Sequence, residues 1–465
     1  MREALPASEG LRSLLREVGI PAGAAAGTVV DGADPVLAAR FPIGTAAATA
    51  LAGCAAVAAL IWRDRTDQAQ DVRVDVRRAA ASLVGYSFQR LDDGPTPSRV
   101  TGNPLVALYE CADGRWIHLH GSFPGLAQRT LQVLGCEAER AQVAAAVGGW
   151  DAHALEDALA AAGTCGAVVR TGPEWLATAQ GESVTGAGRV TIEKIGDSMP
   201  EAAGADQRPV GGIRVLDLTR VLAGPTHGRV LAEHGADVLL VNSPDLPNVP
   251  GFVMDTGHGK RSAFLDLDRP DDAARLRELA AAADVFAQGY RSGSLERRGL
   301  GPADLALARP GLIYVTINCY GDFGPWRARP GWEQLAQSVT GLAAAQGAPG
   351  PPVLMPAAAC DYTTGYLAAL GTMAALWRRS REGGSYHVRA SLCQTGTWIA
   401  GMGPVCDPGA ASGVGDVSQW MEESETAWGR LHHLGPVVEM SATPPSWERP
   451  TAPLGTHPAT WLSRD

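Results

Sequence analysis

An aspartate followed by two threonines and a glycine, Asp361 in the run CDYTTG (Cys360–Gly365), admits two kinds of chemistry. As a helix N-cap its side chain would accept a backbone N–H. As a free carboxylate, ionised at neutral pH, it is a nucleophile. Gly365, one turn later, would let a ligand or another backbone approach closely. The run SLERRG (Ser294–Gly299) offers Arg297, a guanidinium able to hold a phosphate bidentately or to sit solvated on a helix. Histidines offer less. His118 and His120 share a strand face and His432-His433 reads as loop, without the neighbouring Cys or paired acids of a metal site. Eight scattered cysteines form no CxxC pair, which argues against zinc or a disulfide scaffold and for a reducing, cytoplasmic setting. With 39 Lys+Arg against 49 Asp+Glu and a net charge of −10, nucleic acid and anionic membranes are poor partners.

Such residues need a scaffold, and 465 residues that are 46% hydrophobic supply two or three domains. Ile213–Leu218 reads as a buried strand, Gly224-Pro225 as the turn into a helix reaching about His234, and Gly235 as its stop. Further strand-like runs at Ala236–Val241, Ala263–Leu267, Asp284–Ala287 and Leu312–Ile317 alternate with helical patterns. This alternation predicts an α/β fold with a parallel sheet, whose ligand would sit beyond the carboxyl ends of the strands. No GxGxxG follows the first strand, so a dinucleotide reading has little support. Upstream, LVALYE and RWIHLH around Asp113-Gly114 predict a hairpin in a separate small α+β unit, and Pro200–Gly212 reads as a linker. The N-terminal residues are charged and lack the apolar core of a signal peptide. Phe41–Trp62 carries no charge and is long enough to span a bilayer, but its alanine content predicts a buried helix. Ala58–Gly85 also parallels Ala374–Gly401: an Ala-rich helix ending in Trp-Arg, a polar turn, then a strand leading into a helix.

The run VLDLTRVLAGP (Val215–Pro225) with LAEHGADVLLV resembles the opening of class III CoA-transferases, the CaiB/BaiF type, which includes formyl-CoA transferase, carnitine CoA-transferase and α-methylacyl-CoA racemase. GKRSAFLDL, ADVFAQGYRSGSLERRGLG, LIYVTINCYGDFGPWRARPGWEQLAQSVTGL and ACDYTTGYLAALGTMAAL follow in the family's order, and Leu434–Leu462 resembles its closing segment. The likeness covers about Gly211–Asp465. It implies a Rossmann-like large domain over 211–400 closed by 401–465. Residues 101–200 resemble the family's small domain, placed here ahead of the large one, with 201–210 as linker. Residues 1–100 resemble a partial second copy of the large domain's helical region. Family members are interlocked dimers, so the resemblance implies a homodimer or pairing with a paralogous subunit.

The implied reaction is CoA transfer between an acyl-CoA and a carboxylic acid through an acyl-aspartyl anhydride, with acyl-CoA as substrate and no permanently bound cofactor. The resemblance makes Asp361 the nucleophile and places Glu333 beside it as an orienting acid. It places Val221, Leu222 and Ala223 along the pantetheine and thioester. Lys260, Arg261, Gly289, Tyr290, Arg291 and Arg297 fall along the nucleotide. In the N-terminal copy Ala46 or a close neighbour stands opposite Asp361, which leaves one active site per chain. Leu222 stands where formyl-CoA transferase has Gln, and Ser243 where many members have Arg. The family's glycine-rich covering loop has only GMGP (Gly401–Pro404) or GVG (Gly413–Gly415) as counterpart. These departures keep open a non-catalytic, CoA-binding partner subunit. Racemase chemistry needs an imidazole opposite a carboxylate; Trp332-Glu333 replaces the racemase His-Asp.

Overall fold

Apolar runs and Ala-rich helical stretches assemble, in a computed structural model describing residues 7–92, 102–202 and 207–463, into a mixed α/β fold around a seven-stranded sheet. Its strands lie in the order Lys260–Phe264, Asp237–Asn242, Arg214–Leu218, Val285–Gln288, Ile313–Asn318, Ser385–Ser391 and Thr191–Gly196. The first six run parallel and the last is antiparallel to Ser385–Ser391. Covered on both faces, the central strands are continuous apolar runs such as Ile313-Tyr-Val-Thr-Ile.

Three local expectations are corrected. The strand expected from Ala263 begins at Lys260 instead, because both basic residues at its start are neutralised, Arg261 by Asp237 of the adjacent strand and Lys260 by Asp217 of the strand beyond it. Thr191–Gly196 lies within the segment read as the small domain, yet it forms the edge of the large sheet. His432 and His433 are not in a loop but in the strand Gly429–Leu434, paired with Met421–Thr426. Residues 203–206 of the expected linker lie outside the described residues, while Val210 beside them is fully buried. Residues 98–101, at the start of the stretch likened to the small domain, also lie outside them.

The expected hairpin forms as Val106–Glu110 and Trp116–His120, extended by Gly166–Val168. Helices Pro124–Leu134, Arg140–Val147 and Ala152–Ala161 pack on it around a core that includes Ile117, Val143 and Leu155.

The internal repeat becomes a pair of long helices, Ile43–Thr66 and Ala359–Glu382, each of 24 residues. Alanines at consecutive buried positions of the first helix favour helix and leave a thin surface for close packing. At Gly53 an added Cβ would lie 3.1 Å from Leu370, and the Cys54 thiol donates to the Tyr366 carbonyl at 3.1 Å. By length and composition the first helix could cross a membrane, but 89% of its most apolar window is buried inside the protein. Each long helix is followed by a strand and a second helix: Val72–Asp75 with Val76–Ser82, and Ser385–Ser391 with Leu392–Gly401. The strand pairings repeat too. Thr28–Asp31 lies parallel to Val72–Asp75 as Ile313–Asn318 does to Ser385–Ser391, and Glu439–Met440 takes the antiparallel place of Thr191–Gly196.

Candidate active site

Neither long helix is capped by the residue before it; Pro42 and Ala358 make no side-chain cap hydrogen bond. Both receive a carboxylate from elsewhere. Asp34 accepts the Thr45 N–H at 2.7 Å, and Glu333 accepts the N–H of Cys360 at 3.1 Å and of Asp361 at 2.5 Å. The N-cap reading of Asp361 is thereby corrected. Asp361 is the third residue of its helix, and Glu333, the first residue of Glu333–Val339, satisfies the helix end from outside. Counted from the helix starts, Thr45 rather than Ala46 stands opposite Asp361.

Gln337 also donates to Glu333, at 2.6 Å, so three donors converge on that carboxylate. Among the described residues no donor reaches the Asp361 carboxylate. Burial and the neighbouring Glu333 charge raise the Asp361 carboxyl well above the usual range. Glu333 is raised by burial as well, but its hydrogen bonds oppose that rise. The positive end of the long helix favours an anion at Asp361. Burial and the Glu333 charge thus disfavour the charged form of Asp361, while the helix end favours it.

Asp361 opens on a cavity of about 500 Å³ at the carboxyl ends of the strands. Gly365 lets the helix beneath it close up: a Cβ there would sit 2.6 Å from the Ala223 carbonyl and 2.7 Å from Thr226 Cβ. This contact brings the start of helix Ala223–Glu233, opened by the predicted Gly224-Pro225 turn, to within a turn of Asp361. Of the residues expected in the site, Val221, Leu222, Ala223, Gly289, Tyr290, Arg291, Arg297 and Asp361 line this cavity, and Glu333 lies just behind it on Asp361.

Lys260 and Arg261 do not reach it. Lys260, 2% exposed, is paired with buried Asp217 at 3.0 Å beneath the cavity. Arg261, on the opposite face of the same strand, is held by Asp237 at 2.9 Å. The glycine runs at 401–404 and 413–415 are also absent from the cavity wall.

Four lining arginines escaped the sequence reading: Arg129, Arg220, Arg327 and Arg329. Arg220 and the pair Arg327 and Arg329 fall inside runs already singled out. Arg129 follows Phe123 and Leu126 along one face of Pro124–Leu134, so helical spacing could have marked it. Arg329 is engaged by Asp157 at 3.1 Å, but Arg129, Arg220, Arg291, Arg297 and Arg327 have no carboxylate partner among the described residues. Arg220 and Arg129 each bury an Nε that meets no acceptor. In a chain of net charge −10, five unneutralised guanidinium groups around one cavity are a site for anions. Trp332 supplies an apolar wall, with its ring 5.3 Å from Phe123 and 5.6 Å from His120.

Comparison with known proteins bears on this arrangement. The family model for CoA-transferase family III matches residues 21–199 and 210–416. An acyl-CoA transferase of Gibberella moniliformis is 36% identical over 328 residues, covering 63% of this chain and 57% of that protein. The succinyl-CoA–L-malate CoA-transferase beta subunit of Chloroflexus aurantiacus is 35% identical over 201 residues, covering 40% and 50%. A crystal structure of a CaiB/BaiF family protein from Brucella suis aligns with a TM-score of 0.39 at 28% identity, over 42% of this chain and 56% of that one. The chain thus spans about half the length of the relatives it matches. With the model matched across both halves, the chain belongs to CoA-transferase family III.

Proposed function

We propose that the chain transfers CoA from an acyl-CoA to a carboxylic acid, with Asp361 as the nucleophile. The observation that carries this reading is the Asp361 carboxyl, on the wall of a cavity also lined by five arginines without a carboxylate partner among the described residues. An oxygen of Asp361 attacks the thioester carbonyl, the C–S bond breaks, and CoA leaves as a thiolate. The thiolate then attacks the aspartyl carbonyl of the acyl-aspartyl anhydride, releasing the donor acid as a carboxylate and leaving CoA as a thioester on Asp361. The acceptor carboxylate attacks that thioester, expelling the thiolate and forming a new anhydride, and the thiolate attacks the acceptor's carbonyl to give the new acyl-CoA and free Asp361. Glu333 orients the helix turn that bears Asp361, and the arginines hold the phosphates of CoA. Acyl-CoA is substrate here, and no resident cofactor is required.

The relatives' names add acyl-CoA and, for one, succinyl-CoA and malate; a donor or acceptor bearing a second carboxylate suits the arginine-rich wall. A racemase is disfavoured because Trp332 occupies the wall where that chemistry needs an imidazole. A second reading, a CoA-binding partner subunit, is favoured by the position of Gly401–Pro404 and Gly413–Gly415 away from the cavity wall and by relatives named as alpha and beta subunits.

The test is Asp361→Asn, which keeps shape but cannot form an anhydride. Transfer should vanish while CoA binding persists, and hydroxylamine with acyl-CoA should trap a hydroxamate at Asp361 of the parent protein. An Asn variant that transfers at the parent rate removes the covalent role. A parent protein that binds CoA yet transfers nothing with any acyl-CoA establishes the partner-subunit reading instead.

A further inference from the structure

Beneath the cavity lies a buried ion pair whose hydrogen bonds run to the loop after Leu218 and to the first turn of helix Ala223–Glu233. Asp217, at the end of strand Arg214–Leu218, is fully buried. One of its oxygens accepts from the Thr219 N–H at 2.9 Å and the Thr219 hydroxyl at 2.5 Å. The other accepts from Lys260 Nζ at 3.0 Å, and Nζ also donates to the Pro225 carbonyl at 2.7 Å. Together the pair grips both ends of the segment Thr219–Pro225. Gly228 leaves room for it: a Cβ there would lie 2.5 Å from Asp217 Oδ2 and 2.9 Å from Lys260 Nζ.

Between the two anchors Val221 has a φ of +70°, a left-handed conformation in which a β-branched side chain is crowded. Asp67 is the other non-glycine residue with positive φ among the described residues, and it ends a helix at the far side of the fold. Val221, Leu222 and Ala223 form cavity wall, and the Ala223 carbonyl packs on Gly365, one turn from Asp361. A buried ion pair is a weak device for stability, and a crowded valine subtracts from it. Both features sit on the loop that faces the nucleophile.

We propose that Lys260 is a positioning residue: with Asp217 it holds Val221 in its left-handed conformation and so fixes the wall that sets a thioester carbonyl against Asp361. This rests on the transferase reading, and it gives Lys260 a role through the loop rather than through CoA.

Glycine adopts a φ of +70° without crowding, so a Val221→Gly loop needs no holding. The experiment measures transfer kinetics and calorimetric CoA affinity for Lys260→Met, Val221→Gly and the double variant, with hydrogen exchange at residues 220–224. Lys260→Met alone should lower kcat by roughly 10–100-fold, the scale of a small misplacement of reacting groups, while CoA affinity stays within about twofold. In the Val221→Gly background the same substitution should have little effect on kcat. Equal kcat losses in both backgrounds, or weakened CoA binding with unchanged kcat, overturn the proposal.

If Lys260→Met does not fold, Thr219→Val, which removes only the hydroxyl contact to Asp217, carries the same comparison. If the parent protein has no transferase activity, the functional reading fails on its own and the exchange measurement still decides. Faster exchange at 220–224 on losing Lys260, seen when Val221 is present but not in the Val221→Gly background, supports positioning. Exchange that Lys260→Met leaves unmoved refutes it.

Discussion

Glu333→Gln perturbs the site without touching the proposed nucleophile. Glu333 collects three donors, from Cys360, Asp361 and Gln337, at 3.1, 2.5 and 2.6 Å. An amide offers one accepting oxygen, so its NH₂ must face at least one donor, and a charge-assisted bond is lost. Such a bond contributes about 1.5–3 kcal/mol. At about 1.4 kcal/mol per tenfold, a loss expressed wholly in the placement of Asp361 lowers kcat by roughly 10–100-fold. The same substitution removes the negative charge that helps raise the Asp361 pKa. The reactive form of Asp361 is the carboxylate, so the rate climbs with pH through that raised pKa. Without Glu333's charge the pKa falls, and the acid limb of the kcat profile must move to lower pH. The assay is CoA transfer between pH 4 and 8, with kcat and KM separated. An acid limb that stays put or moves to higher pH would refute the reasoning. So would a variant whose whole defect lies in KM for the acyl-CoA.

Two further outcomes follow from the same geometry. Arg297→Ala should weaken CoA binding by about 1.5–3 kcal/mol, since Arg297 lines the cavity without a carboxylate partner among the described residues; calorimetry at two salt concentrations checks this, and unchanged affinity removes Arg297 from the phosphate site. Gly365→Ala should destabilise the fold by about 1–3 kcal/mol through overpacking, because its Cβ would press on the Ala223 carbonyl at 2.6 Å; an unshifted melting temperature contradicts that contact.

Much of the scaffold was legible because local rules and global packing agree along Val215–Gly235. The apolar run, the Gly224-Pro225 turn and the stop at Gly235, with its φ of +107°, each demand what the sheet needs. Asp361 was legible by its place in an ordered series of motifs, not by its immediate neighbours, which read equally as a helix cap. The cap proved to be Glu333, 28 residues earlier, and no local pattern announces a carboxylate that reaches a helix end through tertiary contact. Lys260 and Arg261 misled for a related reason. A basic pair beside a strand reads as a phosphate grip, but each has a carboxylate waiting for it, Asp237 on the adjacent strand for Arg261 and Asp217 on the strand beyond that for Lys260. Arg129 and Arg220 meet only because helix Pro124–Leu134 leans over the strand ends, a docking of two units that sequence spacing does not encode. Phe123, at that helix's start, lies 5.7 Å beneath the Arg220 guanidinium.

The two long helices, matched in length and in the way their first turns are satisfied, also bear on how the protein holds together in dilute solution. When such partners belong to separate polypeptides, their docking is second order and fails as protein is diluted. Here a single backbone ties Ile43–Thr66 to Ala359–Glu382, and each finds the other at a local concentration set by the intervening chain. Trp377 and Arg381 close on Asp64 at 2.9 and 3.0 Å, and that contact forms as a unimolecular event. The docking of this helix pair should therefore add no dependence of the melting midpoint on protein concentration. The two helices differ at the third position, Thr45 in one and Asp361 in the other.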